Sequence, residues 1–189
     1  MLSFIVVSST VRKDTNRSVK SVVGGQERFD VLARCLLNLD RWKERIQYDL
    51  NLTIFLSHPE EQTVLNIPLQ MIPSTLGGEL DSVYTLIELF SNPDRFNVEV
   101  TNINFENLML NLSKNHEIYY LTPDGGAIEE LAKNFVLDSN YCFVLGSQYD
   151  LSEAQEQVLL NIKMIPISLG DKEYLASHVI TTICYQFLS

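Results

Sequence analysis

Eight glycines are the residues of this chain best placed to do chemistry. Six fall in three doublets, Gly24-Gly25, Gly77-Gly78 and Gly125-Gly126. The other two, Gly146 and Gly170, each close a strand-like run, Phe143-Val-Leu-Gly146 and Ile167-Ser-Leu-Gly170. In open α/β sheets ligands sit beyond the carboxyl ends of the strands, where glycine lets main-chain amides and carbonyls approach without a side chain intervening. If the two strands are adjacent, their ends form one such site. The structural alternative is that glycine at a strand-to-helix turn is common whatever the function. Neither GxGxxG nor GxxxxGKS/T occurs, so a dinucleotide fold or a P-loop would lack its phosphate cradle.

The other reactive side chains are sparse. Cys35, Cys142 and Cys184 sit in apolar surroundings with no short spacing to one another or to a histidine pair, which indicates neither a zinc site nor a disulfide framework and fits a reducing cytoplasm. His58, His116 and His178 have no metal-ligand pattern around them; a ring that satisfies a backbone carbonyl is the structural alternative to a catalytic role. Lys and Arg number 14 against 24 Asp and Glu, a formal charge of −10, which excludes a generally basic nucleic-acid binder. The charges are unevenly spread. Residues 1–50 hold nine basic residues against six acids, a balance of +3, and residues 51–189 hold five against eighteen, a balance of −13. Such asymmetry marks either a cationic face on an anionic body or helix faces solvated by Lys and Arg.

The elements that must position these residues follow from periodicity. Short β-rich runs at 2–8, 50–56, 64–67, 97–101, 117–121, 141–146 and 162–168 alternate with segments of helical period, the pattern of a mostly parallel sheet wrapped by helices. Helices are predicted over 27–47 (Phe29, Leu32, Leu36, Leu39, Ile46) and 79–91 (Val83, Leu86, Ile87, Phe90). A third carries Phe105, Leu108, Met109 and Leu112, and a fourth begins behind Ser152 as N-cap. The last, about 173–188, carries Leu175, Val179, Ile183 and Phe187 along one side. No repeat, linker or low-complexity tract interrupts them, so residues 1–189 are expected to form one domain. The start lacks a basic n-region and a cleavage site, and no apolar run approaches the roughly 18 to 20 residues that span a bilayer, so a cytoplasmic protein is expected.

Tyr120-Leu-Thr-Pro-Asp-Gly125, Phe143-Val-Leu-Gly146, Ile167-Ser-Leu-Gly170 and Tyr174-Leu-Ala-Ser-His178 resemble, in this order, the successive motifs of SPOUT methyltransferases. Within that superfamily the likeness is to the archaeal-type tRNA pseudouridine N1-methyltransferase (TrmY) family and its bacterial relatives. Arg28-Phe-Asp-Val-Leu-Ala-Arg34-Cys35 resembles the family's first helix, and Leu76-Gly-Gly-Glu79 its bacterial branch. The resemblance implies a SPOUT-like α/β fold, with a mostly parallel sheet of six or more strands, helices on both faces and a C-terminal trefoil knot over about 117–189.

It further implies S-adenosyl-L-methionine held, mainly by main chain, at Leu121, Gly146, Leu169, Gly170, Asp171, Lys172, Glu173, Tyr174 and Val179. Methyl transfer to N1 of pseudouridine in structured RNA, tRNA by the likeness, requires an acceptor for the N1 proton. Candidates are Glu60 and Glu61, in the loop after 50–56, with His58 beside them; solvated loop carboxylates are the structural alternative. RNA contact falls to Arg12, Lys13, Arg17, Arg28 and Arg34. Arg28 and Arg34, six apart on a helix, lie roughly 120° from alignment and need not act together. A homodimer is implied, with the apolar side of 175–187 against a second copy, and neither a metal nor a membrane is involved.

The chain departs from the family pattern in three places. Leu145-Gly-Ser147-Gln148 stands for the frequent Leu-Gly-Asp-His, Ser57-His58-Pro59 for an Asp before Gly-Pro, and Val179 for a cysteine. Alternative functions are therefore a SPOUT-derived RNA-binding dimer that has lost turnover, methylation at a different RNA site, and an α/β domain for another adenosine compound.

Overall fold

The computed structural model describes residues 1–13, 17–22, 25–58, 61–72, 75–170 and 172–188. In chain order the elements are β1 (Leu2–Ser8), α1 (Val19–Val22), α2 (Phe29–Trp42), β2 (Leu50–His58), β3 (Glu61–Pro68), α3 (Glu79–Ser91), β4 (Glu99–Asn102) and α4 (Phe105–Leu112). They continue with β5 (Glu117–Ala127), α5 (Ile128–Ala132), β6 (Tyr141–Gly146), α6 (Glu153–Asn161), β7 (Ile165–Ser168) and α7 (Ala176–Tyr185). The strands form one seven-stranded sheet in the order β4-β3-β2-β1-β6-β5-β7. The five strands from β2 to β7 in that order pair in parallel; β3 runs antiparallel to both β2 and β4.

β1 is buried along its whole length because helices cover both of its faces, the expected condition of a central parallel strand. Leu2, Phe4 and Val6 share a core with α2, α3 and α7, while Ile5 and Val7 point the other way, into a second core under α4 and α6. The alternation repeats on β6, where Tyr141, Phe143 and Leu145 meet the first core and Cys142 and Val144 the second. Desolvation pushes the buried thiols of Cys35 and Cys142 up to about 12, so both are inert packing groups.

Element ends depart from periodicity for local reasons. β7 starts at Ile165 rather than 162 because Lys163 is left-handed (φ 57°) and the Met164 amide donates to Leu159, closing α6 over those residues. β4 starts after Asn97, left-handed at φ 50°, which closes a 3₁₀ turn over Pro93–Phe96. Arg28 is left-handed as well (φ 52°, ψ 40°), so α2 begins at Phe29. The fourth predicted helix is capped as read: Ser152 accepts from the Gln155 amide and the Gln155 side chain accepts from the Ser152 amide, a capping box.

The apolar side of the last helix is not free for a second copy. Val179, Ile183 and Phe187 are buried in this chain's own core, where Phe187 stacks on Phe135 at 4.5 Å and meets the edge of Tyr48 at 5.2 Å. The outward residues there are Tyr174, Leu175, His178 and Tyr185. No helix among the described residues is long and apolar enough to cross a membrane.

Candidate functional site

The parallel order β6-β5-β7 sets three strand ends side by side on one edge of the sheet. Gly146 and Gly170 are not on neighbouring strands, as the glycine pattern alone allowed. β5 lies between them, which separates β6 from β7 by about 10 Å. Both Leu121 and Gly126 register with Ile167, so the residues between them leave the ladder and return to the same partner. A Cβ on Gly125 would lie 2.3 to 2.6 Å from main-chain atoms of Ile167; glycine there lets the excursion press against β7.

Gly146 serves a similar internal purpose. A Cβ there would fall 2.0 Å from the Tyr149 carbonyl oxygen, because the chain folds back over the strand end. Gly170 differs: its φ is +94° and, among the described residues other than its chain neighbours, nothing lies within 4 Å of a Cβ built on it. Its amide donates to Ser168 Oγ at 3.1 Å. Leu121 and Leu169 are half-buried against the core beside it, Val179 is buried, and Lys172, Glu173 and Tyr174 are exposed. Asp171 lies outside the described residues. In the turn after β6, Gln148 Oε1 is buried and has no hydrogen-bond partner among the described residues, an acceptor that a ligand N–H or O–H would satisfy. Open space at a left-handed glycine, apolar flanks and an orphaned acceptor fit an adenosine compound held by main chain.

His58 and Glu61 are partners in register at the end of a tight β2–β3 hairpin rather than members of an open loop. Glu60 lies outside the described residues. β2 is two strands from β6 and three from β5, so this pair stands about 14 Å across the sheet from Leu121. One chain does not bring it to the cradle.

The cationic set divides. The Arg17 side chain is only 4% exposed; it pairs with Glu27 at 2.9 Å, lies over the rings of Phe29 (4.7 Å) and Phe90 (5.4 Å), and donates to the Arg12 and Lys13 carbonyls. It fastens the Arg12 and Lys13 main chain to Glu27, Phe29 of α2 and Phe90 of α3, which takes it off the list of phosphate ligands. Arg28 and Arg34 do act together. Since Arg28 precedes the helix in a left-handed conformation, the helical angle does not apply, and both guanidinium groups converge on Asp30. Burial pushes the Asp30 carboxyl up, but the hydrogen bonds and charges of the two arginines outweigh it and hold it below the ordinary carboxylate range. Arg12 is exposed and Lys13 half-buried.

The same edge holds residues that periodicity and motifs did not single out. A cavity of about 600 Å³ lies beyond β1, β2 and β3, walled by the starts of α4 and α6, with Ser57, Gln62, Glu106, Tyr149 and Asp150 around it. Its signal in the sequence is the polar run Ser147-Gln-Tyr-Asp150 between a strand end and a capping box. Among the described residues no group of three or more His, Cys, Asp or Glu is placed to hold a metal ion.

This fold is similar to that of the SPOUT methyltransferases. The crystal structure of Archaeoglobus fulgidus Nep1 bound to S-adenosylhomocysteine matches with a TM-score of 0.61 at 13% identity, over 98% of this chain and 96% of that one. A family model described as "Putative SAM-dependent RNA methyltransferase" matches residues 1–188, and the chain belongs to that family of S-adenosylmethionine-dependent RNA methyltransferases. The tRNA (pseudouridine(54)-N(1))-methyltransferase of Thermococcus kodakarensis is 28% identical over 97% of this chain and 96% of its own length. The enzyme of the same name from Thermococcus onnurineus is 26% identical over 97% and 95%.

Proposed function

We propose that this chain methylates N1 of a pseudouridine in tRNA. The observation that carries the reading is the reach of the Thermococcus kodakarensis likeness, 97% of this chain and 96% of that enzyme. Both the glycine cradle and the rest of the sheet edge therefore fall inside the shared stretch. When bound, S-adenosylmethionine supplies an electrophilic methyl group on a sulfonium. Leu121, Leu169 and Val179 offer it apolar contact, and the main chain at Gly146 and from Gly170 to Tyr174 offers polar contact. Gln148 Oε1 adds an acceptor. Because this machinery is largely main chain, Ser147 and Gln148 in place of an acid and an imidazole do not remove it.

Pseudouridine N1 carries a proton that the glycosidic nitrogen of uridine lacks, so the chain's task at the acceptor is to orient the base and receive that proton. Glu60, Glu61 and His58 reach a cradle only if a second copy brings its own β2–β3 hairpin to this edge, which a homodimer would allow. The outward Tyr174, Leu175, Tyr185 and Leu188 offer it apolar surface. The reading includes one domain over 1–189 and a trefoil knot over about 117–189. Arg12, Lys13 and the Arg28–Asp30–Arg34 clamp are its phosphate contacts.

The test is transfer to a tRNA transcript that has been pseudouridylated beforehand. Nuclease digestion and mass spectrometry should show N1-methylpseudouridine, with none on the transcript that carries uridine. Donor binding without transfer to any tRNA would instead favour an RNA-binding dimer that has lost turnover, and absence of donor binding would remove the cradle assignment.

A further inference from the structure

The sheet edge has a second concave region, separate from the glycine cradle and joined to it by the turn that follows Gly146. The cavity of about 600 Å³ is floored by Val7, Phe105 and Val158 and rimmed by polar side chains. Val7 and Phe105 are almost fully buried, so the floor is fixed core rather than mobile surface. Some rim groups are already committed. Asn104 caps α4 by accepting from the Asn107 amide at 2.8 Å, and Ser152 with Gln155 forms the capping box of α6. These side chains shape the wall and are not available to read a ligand. Left to do so are Ser9, Ser57, Gln62, Glu106 and Asp150, with Tyr149, 60% exposed, at the mouth.

The charge of this lining selects the occupant. Among the described residues it contains two carboxylates and no Lys or Arg, so a phosphate or sulfate is repelled. An apolar floor with a rim of hydrogen-bond acceptors suits a flat, uncharged ring that carries N–H groups. RNA presents such a ring only when a base leaves its stack, and an exposed aromatic at the mouth provides a surface for it to stack on.

We propose that this cavity receives the target base, with Tyr149 as the stacking surface and Glu106 and Asp150 as acceptors for its ring N–H groups. The proposal rests on the pseudouridine reading and deepens it. Uridine has one ring N–H, at N3, whereas pseudouridine has two, at N1 and N3. Glu106 and Asp150 are both exposed in the free chain. Two acceptors match the two N–H groups of pseudouridine and leave one without a partner when uridine is bound, and a site that hydrogen-bonds an N–H discriminates against the base that lacks it. The base then sits on the same edge as the cradle, beside the Gly146–Asp150 turn that borders both.

The experiment measures RNA binding without methyl donor. Two stem–loops of one sequence, carrying either a single pseudouridine or uridine in the loop, are titrated by fluorescence anisotropy, and S-adenosylmethionine binding is measured separately by calorimetry. Wild-type protein should prefer the pseudouridine loop by about tenfold. In Glu106→Gln/Asp150→Asn the preference should fall below about twofold with donor affinity unchanged. Ala154→Trp fills the cavity from an exposed position in the first turn of α6, so it should weaken both loops by about tenfold while melting temperature and donor affinity hold. A wild type that discriminates while both variants discriminate and bind equally well overturns the proposal alone. A wild type indifferent to pseudouridine in binding and in methyl transfer overturns the functional reading and this proposal with it.

Discussion

The carboxyl ends of β5, β6 and β7 present mostly main chain, while those of β1 and β2, with the amino end of the antiparallel β3 beside them, present side chains. On the first side the decisive groups are Gly125, Gly146 and Gly170, with two half-buried leucines beside them. On the second they are Ser57, Gln62, Glu106 and Asp150 over an apolar floor. A site made of main chain depends on the path of the backbone and tolerates changes such as Ser147 and Gln148. A site made of side chains changes its ligand with each substitution. The proposed donor site therefore rests on the path of the backbone, and the proposed base site on individual side chains.

The most damaging substitution should be at the wall the two sides share. Gly146→Ala places a Cβ 2.0 Å from the Tyr149 carbonyl oxygen, against main chain that cannot rotate away. The turn must move, at a cost of roughly 1–3 kcal/mol as for an overpacked core, and donor and RNA affinities should both drop at least tenfold. Calorimetry with S-adenosylmethionine and anisotropy with tRNA check this. If one affinity fell and the other held, the turn would belong to one side only.

Gly170→Val should separate the two sides. Among the described residues other than its chain neighbours no atom lies within 4 Å of its Cβ, so the fold loses only the roughly 1–2 kcal/mol that a left-handed backbone costs a branched residue. Donor affinity should fall by more than tenfold because the new side chain occupies the open space, while RNA affinity stays within twofold. Unchanged donor affinity would show that the open space beside Gly170 is not used.

The arginines test whether local charge means RNA contact. Arg17→Ala removes the buried partner of a part-buried ion pair and its two ring contacts, so it should lower stability by about 1–3 kcal/mol with little effect on the salt dependence of RNA binding beyond that. The double change Arg12→Ala/Lys13→Ala should do the reverse: stability within about 0.5 kcal/mol, and a slope of log K against log salt that is shallower by about 1 to 2. Asp30 adds a pH signature. Its carboxyl is held below the ordinary range, so the stability it contributes is present above the unfolded value near 4 and is lost as pH falls through the lower folded value. Asp30→Asn should therefore melt with a flatter dependence on pH below about 4 than the wild type.

How much was legible in the sequence depended on how local the cause was. The strands at 2–8 and 141–146, the helix at 79–91 and the Ser152 cap follow from period and neighbouring residues, and all four stand as read. Of the proposed cradle, the glycines at the ends of β6 and β7 were legible through their place after strand-like runs. What was not legible came from distant pairings: β5 between β6 and β7, Arg17 buried between Phe29 and Phe90, and Arg28 left-handed so that it meets Arg34 at Asp30. The last helix was assigned its apolar side correctly, but the core under Phe187, built by Tyr48 and Phe135, takes that side. The cavity was missed because its lining comes from five separate stretches of chain, none with a motif of its own.

The smallest expected effect is also the finest test of the division. Ser152→Ala removes the acceptor for the Gln155 amide at the start of α6 while leaving the cradle's residues untouched. Loss of an N-cap costs about 1 kcal/mol, spent here on fraying the turn that carries Ala154 and Gln155 in the cavity wall. RNA affinity should therefore fall by about two- to fivefold, with the pseudouridine preference reduced but present because Glu106 and Asp150 remain. Donor affinity should not move, since α6 lies under the opposite face of the sheet from the core that supports Leu121, Leu169 and Val179. Equal losses in both titrations would mean that the wall transmits disorder from one side to the other, and the edge would then have to be treated as one site.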